Sequence, residues 1–218
     1  MASPDAVATA ARYGAYCTRE VEAIATDLDQ YAALLLKWQR THNLVSRETM
    51  AALWTRHIAD SLQVQKRLRP EDRRFLDLGS GGGFPAIPLA IARSGSGASF
   101  TLVEANQKKA SFLRAAGREL GLDIEVRAER IGEIDSRETI RPDVITSRAL
   151  ASLTVLCRHM VTFFGPNTRA ILHKGREYGE ELEEARAAWH FDVVVVPSDT
   201  SVDGVLLELR DLRANTAS

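Results

Sequence analysis

The sequence predicts an α/β fold, a doubly wound parallel sheet with an antiparallel end and a helical cap ahead of it. Three observations predict this. From Phe75 onward, short apolar runs alternate with amphipathic stretches, the pattern of βα units. The first of these runs enters a glycine loop and then a proline-led helix, Phe75-Leu-Asp-Leu-Gly-Ser-Gly-Gly-Gly-Phe-Pro85. The last two runs are separated only by Pro-Ser-Asp-Thr-Ser-Val-Asp-Gly, so they form a hairpin without a crossover helix.

In chain order, Met1 to Ala11 is alanine-rich without a long apolar core and reads as a frayed tail, not a signal peptide. Val21, Ile24, Leu28, Tyr31, Leu34, Leu35 and Trp38 recur at three and four, the stripe of an amphipathic helix. Leu53, Trp54, Ile58, Leu62 and Leu68 mark a second helix that ends before Pro70. Residues 1–70 therefore form the helical cap, and residues 71–218 the sheet domain. Within that domain the expected order is strand Phe75 to Leu78, helix Pro85 to Arg93, strand Phe100 to Glu104, helix Gln107 to Leu120 and strand Ile124 to Ala128. Strand Val144 to Thr146, helix Leu153 to Phe164, strand Ala170 to His173 and helix Glu180 to Trp189 follow, before the hairpin strands Val193 to Val196 and Val205 to Leu209.

The glycine loop carries the chemistry. Gly79, Gly81 and Gly83 permit positive φ and let backbone N–H groups approach a ligand. In the dinucleotide fingerprint a third small residue lets the helix pack close beneath a pyrophosphate. Phe84 occupies that place here, which speaks against a nicotinamide oxidoreductase. The spacing Asp77-x-Gly79-x-Gly81-x-Gly83 instead resembles motif I of the S-adenosylmethionine (SAM) methyltransferases, whose cofactor has no phosphate to cradle. Glu104, at the end of the next strand and roughly twenty residues on, stands where an acidic residue meets ribose hydroxyls. With its hairpin end, the whole pattern resembles the Rossmann-like seven-stranded SAM-dependent methyltransferase fold.

Composition sets further bounds. The 218 residues suffice for one sizeable α/β core with an appendage, and a net charge of −1 gives no globally basic field for nucleic acid. RNA contacts must then come from patches. Lys37 to Arg74 holds nine basic residues against four acids, with Trp38 and Trp54 among them, the usual pairing of phosphate and base contacts. Both tryptophans also lie on the apolar stripes, so core packing is the competing role. Cys17 and Cys157 make neither a disulfide framework nor a C-x-x-C metal motif, which suits a reducing cytoplasm without a metal. No run approaches a membrane span.

Several further motifs narrow the resemblance. They are Trp38 with His42-Asn-Leu44, Arg56-His-Ile-Ala-Asp-Ser-Leu62, Gly83-Phe-Pro-Ala-Ile-Pro88, Val103-Glu104 with Lys108-Lys109 and Phe112-Leu113, Arg127-Ala-Glu129, Ser147-Arg148-Ala149, and Lys174-Gly175. Between Trp38 and Gly175 the chain resembles the RsmG (GidB) family, the bacterial 16S rRNA guanine-N7 methyltransferases. The resemblance implies SAM as cofactor and 16S rRNA or the 30S subunit as partner; a monomer is the expected state. It also implies that Gly79, Phe84, Ala128, Glu129 and Arg148 form the cofactor site, to which the loop spacing and the strand-end carboxylate add Asp77, Gly81, Gly83 and Glu104.

Local chemistry adds roles and rivals. Ala128 and Glu129 end a strand, where such sheets bind ligands, although Glu129 could equally cap the turn after it. Arg148 is a positioner with Ser147, or else the partner of Asp77 or Glu104 in a salt bridge. Arg56, His57, Lys108, Lys109 and Lys174 are RNA-binding candidates. Lys174 is the leading phosphate contact and a further positioning candidate, with a solvated surface lysine as the alternative. His57 and Asp60 are spaced to hydrogen-bond across a turn and fix the cap. The Asn/Asp-Pro-Pro-aromatic motif of exocyclic-amine methyltransferases is absent after the fourth strand. Cys157 lies among Leu153, Leu156 and Met160 as a small hydrophobe, not an attacking thiolate. Guanine N7 needs neither device, because its in-plane lone pair carries no proton.

Overall fold

The computed structural model describes residues 1–134 and 141–215, the side chain of Arg47 excepted. Seven strands form one sheet in the order β3-β2-β1-β4-β5-β7-β6. They are β1 (Arg74–Leu78), β2 (Ser99–Val103), β3 (Ile124–Arg127), β4 (Val144–Arg148), β5 (Arg169–Lys174), β6 (Trp189–Pro197) and β7 (Val205–Ala214). The first five run parallel, and β7 inserts antiparallel between β5 and β6. The chain reverses direction of winding between β1 and β4, and such a switch point opens a crevice at the carboxyl ends of the strands.

Helices α5 (Ala86–Ala92), α6 (Gln107–Glu119), α7 (Leu153–Met160) and α8 (Tyr178–Arg186) cover the sheet. Asn106 caps α6 by accepting from the Lys108 and Lys109 N–H groups. Pro85 is the cap of α5 and not its first turn. Period-two alternation divides the core: Leu76 and Leu78 face a cluster with Ile145, Leu156, Met160 and Leu172, while Phe75 faces the other side. That other side also holds the cap. Ile24, Leu28, Tyr31 and Leu35 of α2 (Val21–Gln39) share one cluster with Ile87, Leu89 and Phe112. Trp38 packs edge-on to Phe112, and Trp54 lies partly buried against the same cluster, so both tryptophans serve packing.

Three expectations need correction. The tail is a helix, α1 (Pro4–Tyr13), with Ala6, Ala10 and Tyr13 buried against the rest of the cap. Ser3 caps it and its hydroxyl also donates to Asp29. Small alanines at a spacing of four were the buried face, and a scan for large apolar residues passes over them. The second cap helix is composite. A short α3 (Arg47–Met50) leads into a π-helix at Leu53–Ala59, then α4 (Asp60–Leu62) and a 3₁₀ turn at Gln63–Arg67. An apolar stripe does not distinguish a π-turn from an α-turn, and π-turns gather at functional sites. Finally, α8 stops at Arg186 and Trp189 opens β6, opposite Ala214 of a β7 longer than expected.

Candidate active site

The glycine loop leaves β1 and closes on itself. Gly79 and Ser80 donate to Val103 O at 2.9 and 3.1 Å, and Gly83 donates to Ser80 O at 2.7 Å. Gly79, Gly81 and Gly83 have φ of 73, 57 and 92°, as the spacing predicts. Glu104 binds this loop from β2: its carboxylate accepts from Gly81 N and Asn106 N, each at 2.8 Å. A carboxylate has about four lone-pair sites, so two remain for a ribose diol.

Above the loop lies a cavity of about 530 Å³, within the usual range for a cofactor site. Gly79, Gly81 and Phe84 line it from the loop, Arg56, His57 and Asp60 from the cap, and Arg148 and Lys174 from the ends of β4 and β5. The β6–β7 loop closes the far side through Ser198, Thr200, Ser201 and Gly204. Lys109 lies at its rim and Lys108 is exposed beside it.

Arg148 is the meeting point. Its Nη1 donates to Arg56 O at 2.8 Å and to Asp60 Oδ2 at 3.1 Å, and its Nη2 donates to His57 Nδ1. The guanidinium sits 5.2 Å from the centre of the Phe84 ring, and His57 packs on the same ring at 4.9 Å. The expected salt bridge of Arg148 to Asp77 or Glu104 is thus replaced by one to Asp60. His57 and Asp60 do not bond each other across the turn; they converge on Arg148, which fixes the cap to the sheet by a different route. Asp60 also accepts from Thr200 Oγ1 and Gln63 Nε2, both at 2.7 Å.

Burial and the Arg148 charge push His57 down to about 4, with Asp60 pulling the other way. With Nδ1 accepting from arginine, the ring's proton sits on Nε2 and goes to Thr49 Oγ1 at 2.8 Å. His173 is likewise lowered by burial, against the pull of Asp60, and bonds Asp60 O at 2.9 Å. Burial tends to raise Asp60, yet His173, Thr200 and Arg148 hold it below the usual carboxylate range. The native state thus excludes a proton from His57 that the unfolded chain takes up below about 6.5, so this group lowers stability as pH falls from 6.5 to 4. An NMR titration of the His57 ring is expected to show a midpoint near 4; a midpoint at 6.5 or above would contradict the Arg148 contact.

Of the other expected site residues, Asp77, Gly83, Glu104, Ala128, Glu129 and Ser147 stand outside the cavity lining, and Lys174 is part of it. Asp77 is buried beneath the loop, accepting from Thr146 Oγ1 at 2.6 Å; its Oδ2 has no hydrogen-bond partner among the described residues. Burial raises it to about 6, against the hydroxyls of Ser80 and Thr146. Gly83 packs against α5, since a Cβ there would meet Ile87 Cγ1 at 2.5 Å. Ser147 is not a positioner facing the cavity: it is buried, and its hydroxyl donates to Leu78 O at 2.9 Å. Lys174 lines the cavity but is neither a free phosphate contact nor a solvated lysine. Its side chain is 7% exposed, and Nζ donates to Ala151 O at 2.8 Å and Glu181 Oε2 at 2.6 Å. Ala128 and Glu129 follow β3, outside the cavity lining; Ala128 O accepts from Gln107 Nε2 at 3.1 Å. The β6–β7 loop and Asp60 were missed as site elements, although the Ser-Asp-Thr-Ser run and the Arg56 to Leu62 motif marked both segments.

The seven-stranded order with its antiparallel β7, the glycine loop and the acidic residue after β2 define the fold of the SAM-dependent methyltransferases. A SAM-dependent methyltransferase of Aquifex aeolicus superposes with a TM-score of 0.58 at 16% identity, covering 80% of this chain and 98% of that one. A methyltransferase of Podospora anserina with bound S-adenosylhomocysteine gives 0.57 at 14% identity, covering 83% and 87%. At these identities the likeness concerns the fold. Sequence carries the assignment further. Residues 24–206 match the GidB family model, rRNA small subunit methyltransferase G, and the chain belongs to that family. Among its relatives, the ribosomal RNA small subunit methyltransferase G of Cereibacter sphaeroides is 41% identical over 187 residues, 85% of this chain and 89% of the relative. That of Rhizobium rhizogenes is 45% identical over 186 residues, 84% and 89%. The protein is an enzyme of the methyltransferase class.

Proposed function

We propose that this enzyme methylates N7 of a guanine in 16S rRNA with SAM as the methyl donor. Family membership names the RNA; one observation of the site supports the atom. Among the described residues, the titratable side chains of the cap at the cavity are already engaged: both nitrogens of His57 and the carboxylate of Asp60 are held by protein partners, while His173 has Nε2 on Asp60 O and a buried Nδ1. A wall that presents no accessible general base suits an acceptor that has no proton to lose. Bound SAM would supply an electrophilic methyl group on a sulfonium, whose transfer to N7 would break the S–C bond, form a C–N bond and leave the positive charge on the purine. The chain's share is then to orient and to exclude water, an effect worth up to about 7–11 kcal/mol in well-ordered cases.

The residues fit that cofactor. Glu104 keeps lone pairs for the ribose, Gly79 and Gly81 bring backbone beside the ligand, and Phe84 with Arg148 forms a wall. Ala128 and Glu129 take the adenine end beyond β3. Arg56 and Lys109 at the cavity, with Lys108 beside it, have no ion-pair partner among the described residues and are the proposed phosphate contacts. Among the described residues no group of three or more His, Cys, Asp or Glu could hold a metal, and no helix is long and apolar enough to cross a membrane. The proposed place of action is the cytoplasm, with the ribosome.

Transfer of tritiated methyl from SAM to 30S subunits and to free 16S rRNA tests the reading. Label on one guanine N7 in either substrate is expected, with Glu104→Ala weakening SAM binding by roughly 1.5–3 kcal/mol as charge-assisted hydrogen bonds are lost. Label on small molecules and none on RNA would overturn it.

A further inference from the structure

Arg148 has five N–H donors in a rigid fork, and the cap takes three of them. Nη1 spends both hydrogens on Arg56 O and Asp60 Oδ2, and Nη2 spends one on His57 Nδ1. The Nε–H and the second Nη2 hydrogen have no partner among the described residues, and the side chain is 16% exposed at the cavity wall. The three acceptors come from one short stretch, the end of the π-helix and the residue after it. Each side-chain acceptor is itself held from the far side. Thr200 and Gln63 fix Asp60, while Thr49 and the Phe84 ring fix His57. An arginine whose partners are anchored in this way gives up its rotamer freedom before a ligand arrives, which lowers the cost of binding one.

We propose that Asp60 and His57 are positioning residues for the cofactor, holding Arg148 against Phe84 with two N–H groups left for an acceptor on SAM. This rests on the assignment of SAM to this cavity. In this role both act through the guanidinium. Asp60 supplies the countercharge and His57 a neutral acceptor. Shape distinguishes the second role from mere filling: an asparagine places its terminal atoms one bond from Cγ, where Nδ1 lies, whereas a glutamine places them near Nε2. His57→Asn therefore retains an acceptor for Arg148, and His57→Gln retains only the reach toward Thr49.

Calorimetric titration of the full chain with S-adenosylhomocysteine, well below every variant's melting temperature, tests this. Arg148→Ala is expected to weaken binding tenfold or more. Asp60→Asn and His57→Gln should each weaken it about tenfold, the loss of one charge-assisted hydrogen bond, and His57→Asn should recover most of what His57→Gln loses. In the Arg148→Ala background, Asp60→Asn and His57→Gln should add nothing, as expected of residues acting through one group. Wild-type affinity in Asp60→Asn and His57→Gln, or full additivity with Arg148→Ala, overturns the positioning role and leaves the cavity assignment standing. An unchanged affinity in Arg148→Ala overturns the assignment of SAM to this cavity, and the positioning role with it.

Discussion

Gly83→Ala is expected to lower the melting temperature by roughly 10 °C and to weaken S-adenosylhomocysteine binding, although it adds a single methyl group. Gly83 has φ of 92°, where a residue with a Cβ is strained. The added carbon would stand 2.5 Å from Ile87 Cγ1, 3.0 Å from Tyr31 Oη and 3.2 Å from Leu113 Cδ2. All three neighbours are fully buried and cannot swing away. Backbone strain of about 1–3 kcal/mol and overpacking of about 1–3 kcal/mol combine to roughly 2–6 kcal/mol. A chain of this size loses about 2–4 °C per kcal/mol. Relief must come from moving α5 or the loop, whose Gly81 N–H is held by Glu104. Gly95→Ala is the control, because its φ is 79° and nothing lies within 4 Å of the new carbon. Gly95→Ala should cost only the backbone strain. Equal melting temperatures for the two variants would contradict the packing argument.

Glu208→Gln should destabilise the protein by about 3–5 kcal/mol at neutral pH, the cost of uncovering buried charge. Glu208 is 1% exposed on β7 at the end of the sheet away from the cavity. Its Oε2 accepts from Arg67 at 2.9 and 2.6 Å, and its Oε1 from Arg210 at 3.1 and 2.5 Å and from Arg169 at 3.3 Å. Arg169 is itself 2% exposed and keeps only Asp72, at 2.6 Å, as a second carboxylate partner. Burial opposes ionisation of Glu208, but Arg210 and Arg67 hold its carboxyl down at about 2, against 4.5 when free. A depressed carboxyl contributes stability above its unfolded value, and that contribution fades as pH falls toward the folded one. Urea unfolding should therefore show a constant gap between wild type and variant from pH 8 to 5. The gap should narrow below about 4.5, toward 2. A loss under about 1 kcal/mol at pH 7 would place the cluster with ordinary surface pairs and contradict this account.

The parts of the fold that sequence reveals are those where one residue type answers one local demand. Phe75 to Leu78 had to be a buried strand, and Gly79 to Gly83 had to turn with positive φ. The hairpin was legible because no helix fits between Pro197 and Val205. By contrast α1 hides because alanines pack close without adding hydrophobicity, and the end of β7 hides because Arg210, Asp211 and Arg213 break the apolar alternation. The site divides in the same way. The glycines turn through backbone geometry set within one βα unit, and Glu104, just after the next strand, accepts from Gly81 N and Asn106 N. Partners of the long charged side chains depend on tertiary placement: Arg148 reaches Asp60 in the cap, and Lys174 reaches Glu181 in α8. Neither pairing has a local signature.

The proposed product is a methyl group on N7 of one guanine in 16S rRNA. Mass spectrometry of 16S rRNA from a strain lacking this enzyme, beside the same strain complemented with it, detects that group. The deletion strain is expected to lack a single N7-methylguanosine that complementation restores, whereas Gly83→Ala restores it poorly. Identical N7-methylguanosine content with and without the enzyme would contradict the proposal.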